Sequence, residues 1–255
     1  GVILTIQSGV VVKFKKISIP LSGYIEVSGI LNVQGVPSKK TYFTSFYDDS
    51  VGGDTNGDGA QTSPAPGDYR GLIFQSGSVG IVDRAVFQYG GEYDTIFICN
   101  YGGLSCSYIY NVGGVVTISN SKFHKHRFQS ITQTSGSFLL TNSEVVSDDG
   151  WIGIRQSGGT STTTQSDIAG DWSVGFDIFG GTAFIGNNFF HDGWIPIRAT
   201  NPKLTVSGNT FTNNGSGAGS IDMSVNFTHS SNTESGTDSR GWRMKGYLDS
   251  NALWT

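Results

Sequence analysis

The chain has 255 residues, a formal net charge of −4, 37 glycines and only 14% charged residues. The acidic balance argues against nucleic acid as a partner, because phosphate binding needs a basic face. No apolar run approaches the roughly 18 residues of a membrane-spanning helix, so we expect no membrane insertion. Gly, Ser, Thr and Asn suit turns, whereas Val, Ile, Phe and Thr suit strands, so the composition predicts an all-β protein.

The first 47 residues predict five short strands separated by Ser-Gly, Gln-Gly and Pro-Ser turns. They are Ile3–Ile6, Val10–Phe14, Tyr24–Val27, Ile30–Val33 and Thr41–Thr44. Short, closely spaced strands are typical of a triangular coil, in which each strand pairs in parallel with its equivalent one rung on.

Residues 48–70 interrupt this pattern with a long, acidic, glycine-rich loop that contains Asp54-Thr-Asn-Gly-Asp-Gly59. Oxygen ligands at positions one, three and five, followed by glycine, are typical of the start of an EF-hand-like calcium loop. Asp54, Asn56 and Asp58 would be ligands, and the backbone carbonyl of Ala60 falls at position seven.

The motif resembles EF-hand and dockerin-type loops only in part, because position twelve is Ala65 and not Glu. A closing carboxylate must then come from elsewhere in the loop, and the candidates are Asp48, Asp49 and Asp68. We therefore expect a structural Ca²⁺ ion, the alternative being a solvated Asp/Asn/Gly turn.

Residues 91–113 form a second predicted excursion, which is rich in tyrosine and holds both cysteines, Cys99 and Cys106. Two cysteines at this spacing are too few for a zinc site. A disulfide closing the loop is the prediction, with two free buried thiols as the alternative. A disulfide would imply an exported protein.

The second half contains a repeat between Val115 and Met223. Five short sequence motifs, which we call phrases, each end in an apolar residue that recurs after 22, 23, 22 and 21 residues. They are Asn120–Phe123, Asn142–Val145, Gln165–Ile168, Asn187–Phe190 and Gly208–Phe211. A period of 21–23 residues, with strands and turns and no helical pattern, predicts a β-solenoid. Residues 226–255 show no repeat, and we expect one domain over residues 1–255 with nine or so rungs.

Tryptophans and acidic residues follow these phrases at one edge of the predicted coil. The set is Trp151, Trp172 and Trp194 with Asp148, Asp149, Asp171 and Asp192. Aromatic faces with flanking polar groups can hold sugar rings, so this edge is the predicted ligand site. In the alternative interpretation the tryptophans cover a corner of the core and the acids are turn residues.

Catalysis would need more than these acids. Paired carboxylates could serve glycoside hydrolysis, and Arg155 and Arg198 could share their face. His124 and His126 could point the same way from a strand, which suits a metal, yet no third ligand is visible and a solvated basic turn is the prediction. No stretch carries a hydrolase or lyase signature, so we expect no catalytic residues.

Residues 1–90 resemble modules of large bacterial cell-surface proteins, on the segments Leu4–Phe14, Val27–Gly35, Tyr42–Ser45 and Asp48–Gly59. That resemblance implies a right-handed parallel β-helix of the pectin-lyase-like type. It also implies a module of a larger protein, displayed outside the cell and used in adhesion or polysaccharide contact. Two alternatives stay open: a polysaccharide lyase or glycoside hydrolase of this fold, and a structural spacer in a surface stalk.

Overall fold

The computed structural model describes residues 1–16, 22–91, 106–148, 150–170, 173–236 and 240–246. The described chain coils through three sheets of nine strands each, and every pair of neighbouring strands in them is parallel. This confirms the predicted all-β parallel solenoid and its nine rungs. None of the described residues forms a helix that is long and apolar enough to cross a membrane.

The strands are short, three to five residues each. The first nine are β1 Ile3–Ile6, β2 Val11–Phe14, β3 Tyr24–Val27, β4 Ile30–Gln34, β5 Thr41–Ser45, β6 Gly71–Phe74, β7 Val79–Asp83, β8 Ala85–Gln88 and β9 Ser107–Asn111. The next nine are β10 Val115–Ser119, β11 Lys122–His124, β12 Gln129–Gln133, β13 Ser137–Thr141, β14 Glu144–Val146, β15 Ile152–Gln156, β16 Thr160–Thr164, β17 Asp167–Ala169 and β18 Val174–Ile178. The last nine are β19 Thr182–Gly186, β20 Phe189–His191, β21 Ile195–Ala199, β22 Lys203–Ser207, β23 Thr210–Thr212, β24 Gly219–Asp222, β25 Asn226–Ser230, β26 Thr233–Ser235 and β27 Trp242–Lys245.

Each strand pairs with the third strand after it, so the three sheets consist of every third strand. Sheet A runs from β1 to β25, sheet B from β2 to β26, and sheet C from β3 to β27. One rung is therefore three strands, and neighbouring rungs lie about 4.8 Å apart.

The core is a column of inward-facing side chains, in which equivalent residues of successive rungs stack on one another. In sheet B, Phe43, Phe87 and Phe123 stack face to face with ring centroids 4.6 and 4.8 Å apart. The same column continues through the apolar residues that close the repeated phrases, in register from rung to rung. Stacked aromatic pairs contribute roughly 0.5–1.5 kcal/mol each beyond their buried area.

The repeated phrases form one corner of the coil, where the chain passes from sheet A to sheet B. The first residue of each phrase has a left-handed backbone, with φ of 52° at Asn120, 47° at Asn142, 54° at Gln165 and 55° at Asn187. Asn and Gly tolerate this conformation better than most residues, which explains the first position of the pattern.

The second residue of each phrase builds a polar ladder inside this corner. The backbone N–H of Ser166 donates to Asn188 Oδ1 at 3.0 Å, that of Asn188 to Asn209 Oδ1 at 2.9 Å, and that of Asn209 to Asn232 Oδ1 at 3.0 Å. Serine hydroxyls accept the equivalent bonds from Ala85, Ser121 and Ser143. The ladder pairs backbone groups that the turn would otherwise bury without partners.

The structure corrects two of the predicted boundaries. The prediction that residues 226–255 lie outside the repeat is wrong for their described part, because β25, β26 and β27 extend all three sheets in register. The predicted excursion 91–113 includes β9, which belongs to sheet C and pairs with β6 and β12. Polar residues in register with core residues, such as His229 next to Val206, hid the last rung from a search for apolar periodicity.

Candidate functional site

The acidic loop between β5 and β6 is fixed at its beginning by Asp48. The Asp48 carboxylate is buried and accepts hydrogen bonds from Thr44 Oγ1 at 2.6 Å, Gln88 Nε2 at 2.6 Å and Ser50 Oγ at 2.5 Å. Burial raises the pKa of Asp48, but the hydrogen bonds from Ser50, Thr44 and Gln88 outweigh it, so the pKa lies below its ordinary value. Its four accepted bonds make Asp48 an anchor of the loop rather than a free ligand.

The end of the same loop is fixed by Asp68. Its Oδ2 accepts from Ser45 Oγ at 2.7 Å and from the Ala65 N–H at 3.0 Å, and its Oδ1 lies 3.5 Å from Lys16 Nζ. Lys13 adds a further clasp, because its Nζ donates to the carbonyls of Asp48 and Gly53 at 2.7 and 2.6 Å. These contacts fix the base of the loop.

The Asp54–Gly59 motif folds into a tight turn around its own carboxylates. Asp54 accepts from the N–H groups of Gly57 and Gly59 at 2.7 and 2.9 Å. Asp58 accepts from the N–H groups of Ala60, Gln61 and Thr62 and from the Thr62 hydroxyl. The hydrogen bond from the Thr62 side chain is the largest cause that lowers the pKa of Asp58 below its ordinary value. The turn therefore favours the charged form of Asp58.

Asp49, Asp54 and Asp58 come together at this turn, with one carboxylate oxygen of each within 4.8 Å of the other two. Two further observations fit a cation there. Asp49 Oδ1 and Asn56 Oδ1 are both buried atoms without a hydrogen-bond partner among the described residues. Asn56 directs its Nδ2 to Asp58 and Thr62, which leaves its oxygen as an unused acceptor. Three like charges and two unpaired oxygens form the hard donor set that Ca²⁺ prefers.

Of the three carboxylates proposed to close the motif, only Asp49 joins Asp54 and Asp58. Asp48 and Asp68 are occupied by their own hydrogen bonds. Ala60 has a left-handed φ of 121°, and its N–H binds Asp58, while the role of its carbonyl as a ligand stays a prediction.

Trp151 and Trp194 are exposed at 69% and 45%, and they occupy equivalent positions of the coil. Val174 N–H donates to the Trp151 carbonyl, and the N–H groups of Trp194 and Ile195 both donate to the Ser173 carbonyl. Ser173 is therefore the equivalent residue of the intervening rung, and the two tryptophans stand two rungs apart, about 10 Å along the axis.

Both indoles are supported by packing. The Trp151 ring lies 5.9 Å from the Phe128 ring. The Trp194 ring lies directly against Gly215, where a Cβ atom would be only 2.4 Å from Trp194 Cε3. Because glycine leaves the room that the indole fills, the side chain at position 215 sets how Trp194 is presented.

The acids of the predicted ligand edge are only partly described. Trp172, Asp149 and Asp171 lie outside the described residues. Asp192 is exposed and pairs with His191, whose Nδ1 is 2.7 Å from Asp192 Oδ2 and whose Nε2 is 2.9 Å from Asp167 Oδ1. Asp148 is exposed and accepts from the Lys125 N–H at 3.3 Å. No hydrogen bond or ion pair joins either acid to Arg155 or Arg198 within the described part of the chain.

His126 differs from its prediction, because it is fully buried and not part of a solvated turn. Strand β11 ends at His124, and Lys125 takes a left-handed φ of 54°, so the two histidines do not continue one strand. His126 Nδ1 lies 3.0 Å from Ser130 Oγ and its Nε2 3.4 Å from Ser147 Oγ. Burial is the main cause that lowers the pKa of His126 to about 4.

A row of charged side chains crosses the outer face of sheet C, and the sequence predicted it only in part. Arg155, Asp177 and Arg198 occupy adjacent positions in the strand register of β15, β18 and β21. Arg198 Nε and Nη2 donate to the two oxygens of Asp177 at 2.6 and 2.7 Å. Asp177 was missed, although its spacing from both arginines equals the rung period and could have identified it.

Cys106 is buried just before β9. Its predicted partner Cys99 lies outside the described residues, so the disulfide stays a prediction.

Comparisons with protein-family models, with curated proteins and with solved structures found no match to this chain.

Proposed function

We propose that this chain is a non-catalytic, calcium-stabilised β-solenoid module that binds polysaccharide. The observation that carries the proposal is the pair of exposed indoles, Trp151 and Trp194, at equivalent positions two rungs apart. In this proposal the module is displayed outside the cell and belongs to a larger surface protein, as the resemblance of residues 1–90 implies.

The chemistry of sugar binding supports the tryptophan edge. An indole presents a large apolar face to the C–H groups of a sugar ring, while neighbouring polar groups bind the hydroxyls. Two such faces about 10 Å apart match the length of two linked sugars, and a rigid coil fixes their spacing in advance. Preorganised platforms bind with less loss of conformational entropy than aromatics on mobile loops.

Calcium has a structural part in this proposal. The loop from Asp48 to Asp68 has no strand, and its exposed tip depends on the Asp54–Gly59 turn. An ion bound by Asp49, Asp54 and Asp58 would neutralise their mutual repulsion and hold the tip against the coil.

The test is binding of the full chain to a panel of soluble and insoluble polysaccharides. We expect retention by at least one of them, and we expect a Trp151→Ala/Trp194→Ala double variant to lose at least about tenfold in affinity. Phe184→Ala is the matched control, because Phe184 is an exposed aromatic residue of β19 on a different sheet. Equal retention of the tryptophan variant and the control would reject the proposed edge.

A further inference from the structure

The outer face of sheet C carries an arginine on every second rung of its C-terminal half. The strand register places Arg155, Asp177, Arg198, Ser220 and Arg243 directly next to one another on five consecutive strands. Arg155 and Arg198 are half-buried and Arg243 is exposed. We call these three residues the arginine row. It bears a net charge of about +2 with Asp177 included, on a chain whose formal charge is −4.

Arg198, at the centre of the row, is held rigidly by Asp177. The carboxylate is almost fully buried and binds the guanidinium through two parallel hydrogen bonds. These bonds raise the pKa of Arg198. They engage Nε and Nη2; among the described residues Nη1 has no acceptor, so its N–H groups can bind a ligand. Bidentate pairing of this kind orients a guanidinium, and 41% of the Arg198 side chain stays accessible.

Arg155 is positioned in a different way, by stacking. Its guanidinium carbon lies 4.9 Å from the centroid of the Phe179 ring, which is itself 39% exposed. Among the described residues no carboxylate pairs with Arg155 or Arg243. Stacking on an aromatic face leaves the in-plane N–H donors of a guanidinium directed outward, where they can bind a carboxylate or a sulfate.

We infer that the arginine row binds a linear anionic polysaccharide that carries one negative group per disaccharide. Successive arginines lie two rungs apart, a distance of about 10 Å. The row is therefore complementary to a polymer whose charges recur at that spacing. Two linked sugar rings span a comparable distance, and guanidinium groups bind planar oxyanions in a bidentate manner. This inference rests on the proposed function and gives its ligand a chemical class.

Nucleic acid is the competing polyanion, and the spacing disfavours it. Duplex DNA has one negative charge per about 1.7 Å of its axis, far denser than three arginines spread over four rungs. Moreover, Asp222 lies on the same sheet, and its partly exposed carboxylate would repel a dense polyanion. A sparse and regular polyanion fits the row better.

The experiment measures the affinity of the full chain for hyaluronan, which has one carboxylate per disaccharide. Polygalacturonate, dextran and single-stranded DNA serve as comparison probes. The variant is Arg155→Gln/Arg243→Gln, which leaves the Asp177–Arg198 pair intact and so avoids exposing a buried carboxylate. The matched control is Lys40→Gln/Lys203→Gln, which removes the same charge from exposed positions outside sheet C.

We expect hyaluronan to bind more tightly than the other three probes, and its affinity to fall at least about tenfold in the arginine variant but not in the control. Binding to any neutral polysaccharide should be the same in both variants. Equal loss in the two variants, or binding of DNA or polygalacturonate as tight as that of hyaluronan, would overturn the inference. Binding of neutral polysaccharides alone would reject the role of the arginine row but would remain consistent with the proposed function. If no polysaccharide binds, both the proposed function and the role of the arginine row are rejected.

Discussion

Acidification below pH 6.5 should destabilise this protein through His126. His126 is fully buried between Ser130 and Ser147, its ring edge faces Tyr108, and Gly150 lies directly on Nε2. Its pKa is lowered from 6.5 to about 4 chiefly by burial, which a hydrogen bond with the Ile152 backbone partly opposes and the nearby His124 slightly reinforces. The unfolded chain therefore binds a proton at a higher pH than the folded chain does.

The sign and the size of the effect follow from this difference. The stability that neutral His126 contributes is fully present above pH 6.5 and is lost as the pH falls towards 4, because the unfolded state binds more protons there. A displacement of 6.5 to about 4 corresponds to about 3 kcal/mol at pH 4, at 1.36 kcal/mol per unit. This is a large part of the 5–15 kcal/mol that is typical for a folded domain.

Urea unfolding of the wild type and of His126→Gln between pH 7 and pH 4 measures this contribution. We expect the wild type to lose about 3 kcal/mol more than the variant over that range, whatever the substitution costs at pH 7. His124→Gln is the comparison variant: the pKa of His124 is also lowered to about 4, chiefly by burial, but His124 is partly accessible and solvent screening reduces its contribution. Parallel pH profiles of wild type and His126→Gln would refute the reasoning.

Three further predictions concern the corner and the acidic loop. Asn209→Ala should cost about 1–3 kcal/mol in urea unfolding, because the buried Asn188 N–H would lose its acceptor, and an unchanged midpoint would contradict the ladder. Gln165→Gly should stabilise the protein by up to about 1 kcal/mol, since glycine relieves a φ of 54°, whereas a loss of stability would show that no strain is stored there. Chelation should lower the melting temperature by roughly 5–10 °C relative to saturating Ca²⁺, and Asp54→Asn/Asp58→Asn should abolish this difference while Asp192→Asn keeps it. A calcium-independent melt of the wild type would contradict the metal site.

Sequence patterns sufficed for the coil wherever apolar residues repeat at the rung period. The phrases ending in Phe123, Val145 and Phe190 predicted the rung period correctly because three requirements coincide in each: a left-handed residue, an inward polar residue and a core residue. The strands of sheet C in the second half, such as Ile152–Gln156, were not predicted. Their outward row is charged and their inward ends are polar, so they lack the simple alternation of a half-buried strand.

The candidate sites were predictable to different degrees. The Asp54–Gly59 motif is local in sequence, so its carboxylates were found, but the choice of Asp49 over Asp48 and Asp68 depends on contacts with β5 and β8. The tryptophan edge was predicted from spacing, although the residue between Trp151 and Trp194 in the coil is Ser173. The arginine row has the spacing of the rung period, but only the strand register places its members directly next to one another.

The burial of His126 shows why residue type alone misleads. A His-Lys-His-Arg segment suggests a solvated basic turn, yet the left-handed turn at Lys125 directs His126 into the coil. Two serines from later strands and loops then provide its partners, and their proximity exists only in the folded coil.

The most direct test of the proposed function follows the indole N–H resonances of the ¹⁵N-labelled chain during titration with a polysaccharide fragment that the panel retains. We predict saturable shifts of the Trp151 and Trp194 resonances, while that of Trp242, which packs against Phe211 and Phe227, stays unchanged. Saturable binding that leaves Trp151 and Trp194 unshifted would contradict the account.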